Sequence, residues 1–310
     1  MANKTTYAHI ALFTVGVIYA LNYFIAKGLM PEKIGPSGFI ALRVLGGVAM
    51  FFAARLFVKW ERVERDDIMR LALCGLTGVA INQLCFFNGL ALTSPLHAAL
   101  IMTTNPIFVL VASALILGTS ITLRKLGGIT FGGLGAVALL LNSGEEAANV
   151  ASSLEGDFLI LVNALSYGVY LVVVKPLMTK YKPITVISWV FLFGSLFAVP
   201  VGYNQLIDID LTIINTVDYW AIVYVIIGTT FLAYLLNIYA LNTVEPTVVS
   251  IYIYLQPIIV TLLTLGLAYA GYTLYKGEIN YQTTLSALAI FTGVWLVSIP
   301  SGYLKTRIMV

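Results

Sequence analysis

Apolar residues in this chain come in long blocks, with none of the strict alternation of a half-buried strand. Stretches of about 20 residues with little or no charge recur from one end to the other, separated by polar breaks. A bilayer hydrocarbon core is roughly 30 Å thick, so one helical crossing takes about 20 such residues. Helix is the element for that solvent, because it pairs its own backbone groups where water cannot. The pattern predicts ten spans, at 8–29, 37–57, 68–92, 96–117, 124–142, 156–176, 184–203, 218–241, 247–270 and 283–303. The longest polar stretches run from Arg55 to Arg70, Ser143 to Gly156 and Asn204 to Asp218, which leaves no place for a soluble domain or a low-complexity linker.

Composition agrees: 60% of the 310 residues are hydrophobic, 10% are charged and the mean hydropathy is +0.95, more than a water-soluble core of this size needs. The expected class is an all-α membrane protein. The first apolar run lacks a small-residue cleavage site and reads as a retained helix. Cys74 and Cys85 fall eleven positions apart on one predicted helix and read as small buried apolar residues.

Basic residues near helix ends set orientation in the membrane. On the amino-terminal side of the ten-span layout lie Lys4, Arg55, Lys59, Arg62, Arg65, Arg70, Arg124, Lys125, Lys175, Lys180, Lys182, Lys305 and Arg307; the other side has only Lys27, Lys33 and Lys276. Both termini are therefore expected in the cytoplasm, with the acidic loops around Glu145, Glu146, Asp208 and Asp210 outside.

The chain also repeats itself. Tyr19 to Gly46 aligns without gaps with Tyr167 to Gly194, pairing Lys27-Gly28-Leu29-Met30 with Lys175-Pro176-Leu177-Met178. Asn88 to Leu92 matches Asn237 to Leu241, and after a two-residue insertion Pro95 matches Pro246 and Asn105-Pro106 matches Gln256-Pro257. The expected division is 1–145 and 146–310, five helices each. An odd number makes the second copy start on the opposite side of the membrane, and inverted repeats around a central cavity are the geometry of alternating access in secondary transporters.

With these features the sequence resembles the drug/metabolite transporter superfamily, specifically the EamA family of ten-helix carriers. The resemblance spans essentially the whole chain. It rests on the five-plus-five layout, on Pro36…Phe39-Ile40-Ala41-Leu42-Arg43 opening helix two, on the Asn-Pro and Gln-Pro steps of helices four and nine, and on the Gly-rich fifth helix. Family members often carry a Glu after the fourth helix of a repeat; the first repeat here has Gly118-Thr119 instead, and Glu278 is the candidate in the second. The resemblance implies a carrier of small metabolites, with exporters of aromatic amino acids and methionine as the nearest functional comparison.

The residues themselves nominate a site. Arg43 lies about seven residues, roughly 10 Å, inside helix two, a costly depth for a charge. It reads either as a counter-charge for an anionic group or gate partner, or as a side chain that snorkels or caps a neighbour's carbonyls. Lys27 and Lys175, at matched helix ends, read as snorkelling or gating residues. Asn105-Pro106 and Gln256-Pro257 begin about 15 Å into helices four and nine, where proline removes a hydrogen bond and is expected to bend the helix near mid-bilayer. Stripes of amides and tyrosines, namely Tyr19, Asn22 and Tyr23, then Asn163, Ser166, Tyr167 and Tyr170, then Tyr234 and Asn237, then Tyr252 and Gln256, with Asn82 added, turn away from lipid and are expected either to glue helices or to line a wet cavity. Gly128, Gly132 and Ala136, with Ala289 and Gly293, read as scaffold that lets helices approach closely.

No P-loop, metal-spaced cluster or paired intramembrane carboxylates appear, so no cofactor, metal, catalytic centre or nucleic-acid partner is expected. His9 and His97 are too far apart in the layout to act as a ligand pair and read as interfacial. The partners expected are a small-molecule substrate and the lipid bilayer, with the chain a monomer or a homodimer. The leading expectation is outward movement of small polar or zwitterionic metabolites, amino acids above all, across a bacterial inner membrane. A multidrug exporter is the alternative, and a membrane enzyme or scaffold the alternative from another class. Antiport of cationic drugs is simplest with a deep carboxylate, and Glu245 and Asp218 sit only at span edges.

Overall fold

The computed structural model describes residues 2–59, 61–92, 98, 101–118, 122–141, 154–269 and 281–298, and among these every regular element is helical. The helices are α1 (Ala2–Leu29), α2 (Pro36–Arg55), α3 (Arg65–Leu92), α4 (Asn105–Leu117), α5 (Leu123–Leu141), α6 (Leu154–Val174), α7 (Pro183–Ile207), α8 (Thr216–Thr243), α9 (246–269) and α10 (Tyr281–Ser298). Among the described residues six helical runs are long and apolar enough to cross a membrane: Lys4–Leu29, Pro36–Arg55, Arg65–Leu92, Phe158–Lys180, Pro183–Ile207 and Thr216–Thr243. The predicted spans 96–117 and 283–303 run partly beyond the described residues, as do Pro95, His97, Thr119, Glu145, Glu146, Lys276, Glu278, Lys305 and Arg307.

Local sequence sets the helix ends. Pro36, Pro183 and Pro246 each open a helix behind an extended residue (Gly35, Lys182 and Glu245), where a missing N–H costs nothing and the residue before proline is already biased away from the helical region. The Asn215 side chain accepts from the N–H groups of Val217 and Asp218 while Asp218 returns a bond to the Asn215 N–H, a complete capping box for α8. Gly118, at φ 63°, closes α4 in the left-handed conformation that glycine tolerates.

One expectation is corrected here. Pro106 does not bend a continuous helix, whereas Pro257 lies in one that tightens just upstream of it. The chain turns at Thr103–Thr104 and α4 restarts at Asn105, placing Pro106 second in the new helix. In α9 a segment Pro246–Ile251 passes through a 3-10 turn, Tyr252–Tyr254, before Leu255–Tyr269 begins, with Pro257 third in it. A proline in a first turn forfeits no intrahelical bond, so breaking the helix just upstream is cheaper than kinking it through the ring.

A second departure is invisible in composition. α3 widens into a π segment at Leu76–Ile81 and α8 into another at Val225–Leu232. In the repeat alignment that pairs Asn88 with Asn237, the two begin at matched positions.

The helices exchange partners across the halves. α1 packs on α8 and α9, α6 packs on α3 and α4, α2 pairs with α7, and α5 with α10. Small residues permit these approaches: a Cβ on Gly75 would lie 2.6 Å from the Gly194 nitrogen, and one on Gly293 2.7 Å from the Gly128 carbonyl. The expected scaffold role of Gly128 and Gly132 against Gly293 is what the geometry gives, since Gly132 also lies under that Cβ. Ala289 is half-buried, and the Ala136 side chain lies outside the described residues.

Polar contacts sort the connections into two faces. The α2–α3 connection meets α6–α7, where the Tyr181 hydroxyl donates to Asp67 (2.8 Å), Lys180 Nζ lies 2.9 Å from the same carboxylate, and the Thr185 hydroxyl donates to Glu61 (2.7 Å). The α1–α2 connection meets α7–α8 through Lys33 and Asp218 at 2.7 Å and through Gln205 Oε1, which accepts from the Ser37 N–H at 2.9 Å. The α4–α5 and α8–α9 connections are joined by Lys125 and Glu245. Connections that meet are those that would share a face if each helix traversed the bundle in turn.

Candidate functional site

A central cavity, partly open to solvent, lies between the helices. Its wall draws on α1, α2, α3, α6, α8 and α9, together with Met102 from the turn before α4. Aromatic rings supply most of the surface: Tyr19, Tyr23, Phe86, Phe87, Tyr167, Tyr234 and Tyr252. Amides supply the polar groups: Asn22, Asn82, Gln83, Asn163, Asn237 and Gln256. Arg43 is the one charged residue among the described wall residues, and no carboxylate is among them.

Arg43 is 3% exposed. Its Nε donates to the Thr230 hydroxyl at 3.1 Å and its Nη2 to the Thr229 hydroxyl at 3.3 Å. Those hydroxyls pass their own protons to the Val225 carbonyl, at 2.9 and 2.6 Å respectively, so the π segment of α8 presents two acceptors side by side. The guanidinium carbon stands 4.6 Å from the centre of the Phe87 ring, a cation–π contact. Every partner is neutral, and Nη1 has none among the described groups. The side chain neither snorkels nor caps a carbonyl; it faces the cavity.

Around it the amides are held by one side and left open on the other. Gln83 Nε2 donates to the Tyr234 hydroxyl (3.0 Å), which in turn donates to the Gly78 carbonyl (3.0 Å). Asn163 Nδ2 donates to the Asn82 carbonyl (2.7 Å), and Asn237 Nδ2 reaches the Tyr19 hydroxyl at 3.5 Å. The side-chain oxygens of Asn22, Gln83 and Asn163 are buried with no partner among the described groups. A buried acceptor left unmade costs about 1–3 kcal/mol. Tyr252, in the turn that interrupts α9, shares a 2.7 Å hydrogen bond with His9 Nδ1, which ties that turn to α1.

This is a bundle of apolar helices around a largely apolar cavity that carries a few polar groups, and comparison with known proteins says which kind. A family model described as the EamA-like transporter family matches residues 6–141 and again 154–299. The chain belongs to the EamA-like transporter family. It is an integral membrane protein of the drug/metabolite transporter superfamily. An uncharacterized transporter of Archaeoglobus fulgidus is 25% identical over 303 residues, covering 96% of this chain and 98% of the relative. The uncharacterized transporter YyaM of Bacillus subtilis is 22% identical, covering 93% and 91%. A probable terminal-alkyne amino-acid exporter of Streptantibioticus cattleyicolor is 25% identical over 140 residues, 45% of this chain and 46% of that one. A solved crystal structure superposes over the full length of both chains with a TM-score of 0.73 at 19% identity, which speaks to the fold.

Within this family member the candidates divide cleanly. Asn22, Tyr23, Arg43, Asn82, Tyr167, Tyr234, Asn237, Tyr252 and Gln256 converge on the cavity. Asn105 and Tyr170 do not line it. Asn105 donates to the Ala164 carbonyl at 2.6 Å and fastens α4 to α6, while Tyr170 packs its ring where a Cβ on Gly78 would stand. Pro106 and Pro257 stand in the first turns of Asn105–Leu117 and Leu255–Tyr269, four residues after Met102 and Ile253 of the cavity wall. Lys27 Nζ donates to the Leu90 carbonyl (2.9 Å) at the end of α3, and Lys175 Nζ to the carbonyls of Leu241 and Val244 (2.8 Å to the latter) at the end of α8. Each caps carbonyls that a helix C-terminus leaves over. Gln83, Phe87, Thr229 and Thr230 are wall or support residues that sequence reading passed over; the adjacent Asn82-Gln83 and Thr229-Thr230 pairs inside apolar runs were the available signal.

Proposed function

We propose that this transporter is a secondary carrier that moves small polar or zwitterionic metabolites, amino acids above all, outward by alternating access of the central cavity between two inverted five-helix repeats. The observation that carries the substrate reading is the complement of buried, unpartnered groups among the residues that line the cavity. Arg43 offers a positive donor corner, and the Asn22, Gln83 and Asn163 oxygens offer acceptors. A zwitterion presents a carboxylate to the first and an ammonium to the second, while the tyrosine and phenylalanine faces suit an apolar side chain. A cationic drug would meet Arg43 with no carboxylate in the described wall to balance it.

Alternating access draws support from the partner exchange. α1 lies on α8 and α9 as α6 lies on α3 and α4, the π segments begin at matched positions, and Lys27 and Lys175 cap matched helix ends. Two such halves can trade conformations and open the cavity to either side. The family model's two matches, 6–141 and 154–299, fit the same division, and the amino-acid exporter relative fits the substrate class.

The test is counterflow. Purified protein in liposomes is loaded with one unlabelled amino acid and offered the labelled one outside; saturable accumulation that falls when Arg43 is replaced is the expected result. An absence of counterflow across all standard amino acids would overturn the amino-acid assignment.

A further inference from the structure

We propose that the free corner of Arg43 is a binding site for one small monovalent anion, such as chloride or acetate, which neutralises the cavity whenever no substrate carboxylate does. The inference rests on the carrier reading only for the word substrate; the site itself follows from the geometry.

A guanidinium has five N–H donors. The edge formed by Nε and Nη2 of Arg43 is committed, one bond to each of Thr230 and Thr229, at 3.1 and 3.3 Å. Nη1, and the second hydrogen of Nη2 beside it, form the remaining edge, and Nη1 has no partner among the described groups. That edge is the one a carboxylate grips with two parallel bonds. The threonines also fix the orientation of the fork, because both spend their protons on the Val225 carbonyl and can only accept from Arg43. Phe87 covers one face of the guanidinium, and Tyr19 and Tyr234 are the phenols that share its part of the wall.

The charge balance then asks for an anion. Arg43 is 97% buried, is always protonated under ordinary conditions, and meets only hydroxyls and a ring. A buried cation without a counter-charge is among the least favourable arrangements in a low-dielectric interior. In most proteins a carboxylate supplies the balance; here the described wall has none, and the described ion pairs all lie at the connections between helices, joining Lys33 to Asp218, Lys125 to Glu245, and Lys180 to Glu64 and Asp67. No described residue of the wall supplies the counter-charge, and a bound anion would. An amino acid brings one in its carboxylate; between substrates, a small monoanion takes the same corner. Phe86, Met102 and Ile253 also line the cavity, and the described wall has no second cation for a dianion.

The test uses the full chain in detergent with radioactive chloride in equilibrium dialysis. We expect saturable binding of about one ion per chain, displaced competitively by acetate, weakened at least tenfold in Arg43→Gln and unchanged in Arg65→Gln, which removes an exposed cation. If Arg43→Gln does not fold, Arg43→Lys keeps the charge but loses the fork, and its affinity should fall several-fold; an unchanged affinity would overturn the site. Absence of saturable binding, indifference to acetate, or equal binding in Arg43→Gln would each overturn it as well. The outcome is separable from the transport assay: chloride binding without amino-acid counterflow sinks the substrate assignment and leaves the anion site, while counterflow with no chloride binding does the reverse.

Discussion

The two π segments use one backbone device to opposite ends. In α3, at Leu76–Ile81, the widened turn is clamped by close packing and by donors from elsewhere in the bundle. Gly75 lies against Gly194 and Gly78 under the Tyr170 ring, while Ser166, Tyr234 and Asn163 donate to the carbonyls of Thr77, Gly78 and Asn82. In α8, at Val225–Leu232, the Val225 carbonyl is satisfied from within the helix by Thr229 and Thr230, whose oxygens then turn to Arg43. The repeat alignment places Phe191 opposite Arg43, and Ala80 and Ile81 opposite the threonines, so the matching corner carries no charge: Phe191 packs on Phe51 and Tyr234, each 4.9 Å between ring centres. Matched positions thus carry unlike side chains. The π segment of α3 is clamped by its neighbours, and that of α8 supplies the acceptors that orient Arg43.

That contrast can be broken at its strongest point first. Arg43→Met is expected to lower counterflow at least a hundredfold while raising the melting temperature in detergent, because an apolar side chain of similar length replaces an unbalanced buried charge, a change worth about 1–4 kcal/mol in other proteins. A parallel loss of transport and stability would show that Arg43 is structural. Next in size is Gly78→Leu. It drives a side chain into the Tyr170 ring and should cost about 1–3 kcal/mol or more, read as a lower melting temperature and poorer yield in the folded peak.

Thr229→Val with Thr230→Val leaves Arg43 in place but strips two acceptors. The predicted cost is about 1–3 kcal/mol for the unmet donors, with substrate affinity changed rather than abolished, because the charge stays in the cavity. The smallest effect should come from Phe191→Leu, the counterpart of Arg43. It removes a ring from an apolar corner, should lower stability by about 1 kcal/mol and should leave counterflow within twofold. Transport as sensitive to Phe191 as to Arg43 would mean that the two corners are not functionally distinct.

Much of this site was legible beforehand, for a physical reason. Amides and an arginine inside apolar runs have nowhere to go in lipid except inward, so Asn22, Arg43, Tyr234, Asn237 and Gln256 could be nominated from composition and depth alone. Asn105 obeys the same rule and still misses the cavity, since pointing inward does not say whether a neighbouring backbone or an open space lies there. Pro106 misled for a related reason: its missing N–H forbids an unperturbed helix, but the chain relieved this by restarting a helix at Asn105 rather than by bending one.

The sequence by itself determined the solvent, the helices and their approximate ends, the family and the presence of a buried cation, because each is a local or summed property of hydropathy, charge and residue type. Only the tertiary structure decided which groups meet. An α-helix turns about 100° per residue, so each π segment shifts the face of everything that follows it, and no local pattern announces the shift. With α1 resting on α8, and α6 on α3, the residues that finally surround Arg43 come from helices far apart in the chain. The partners of its guanidinium, two adjacent threonines and a phenylalanine, are ordinary residues until the fold brings them together.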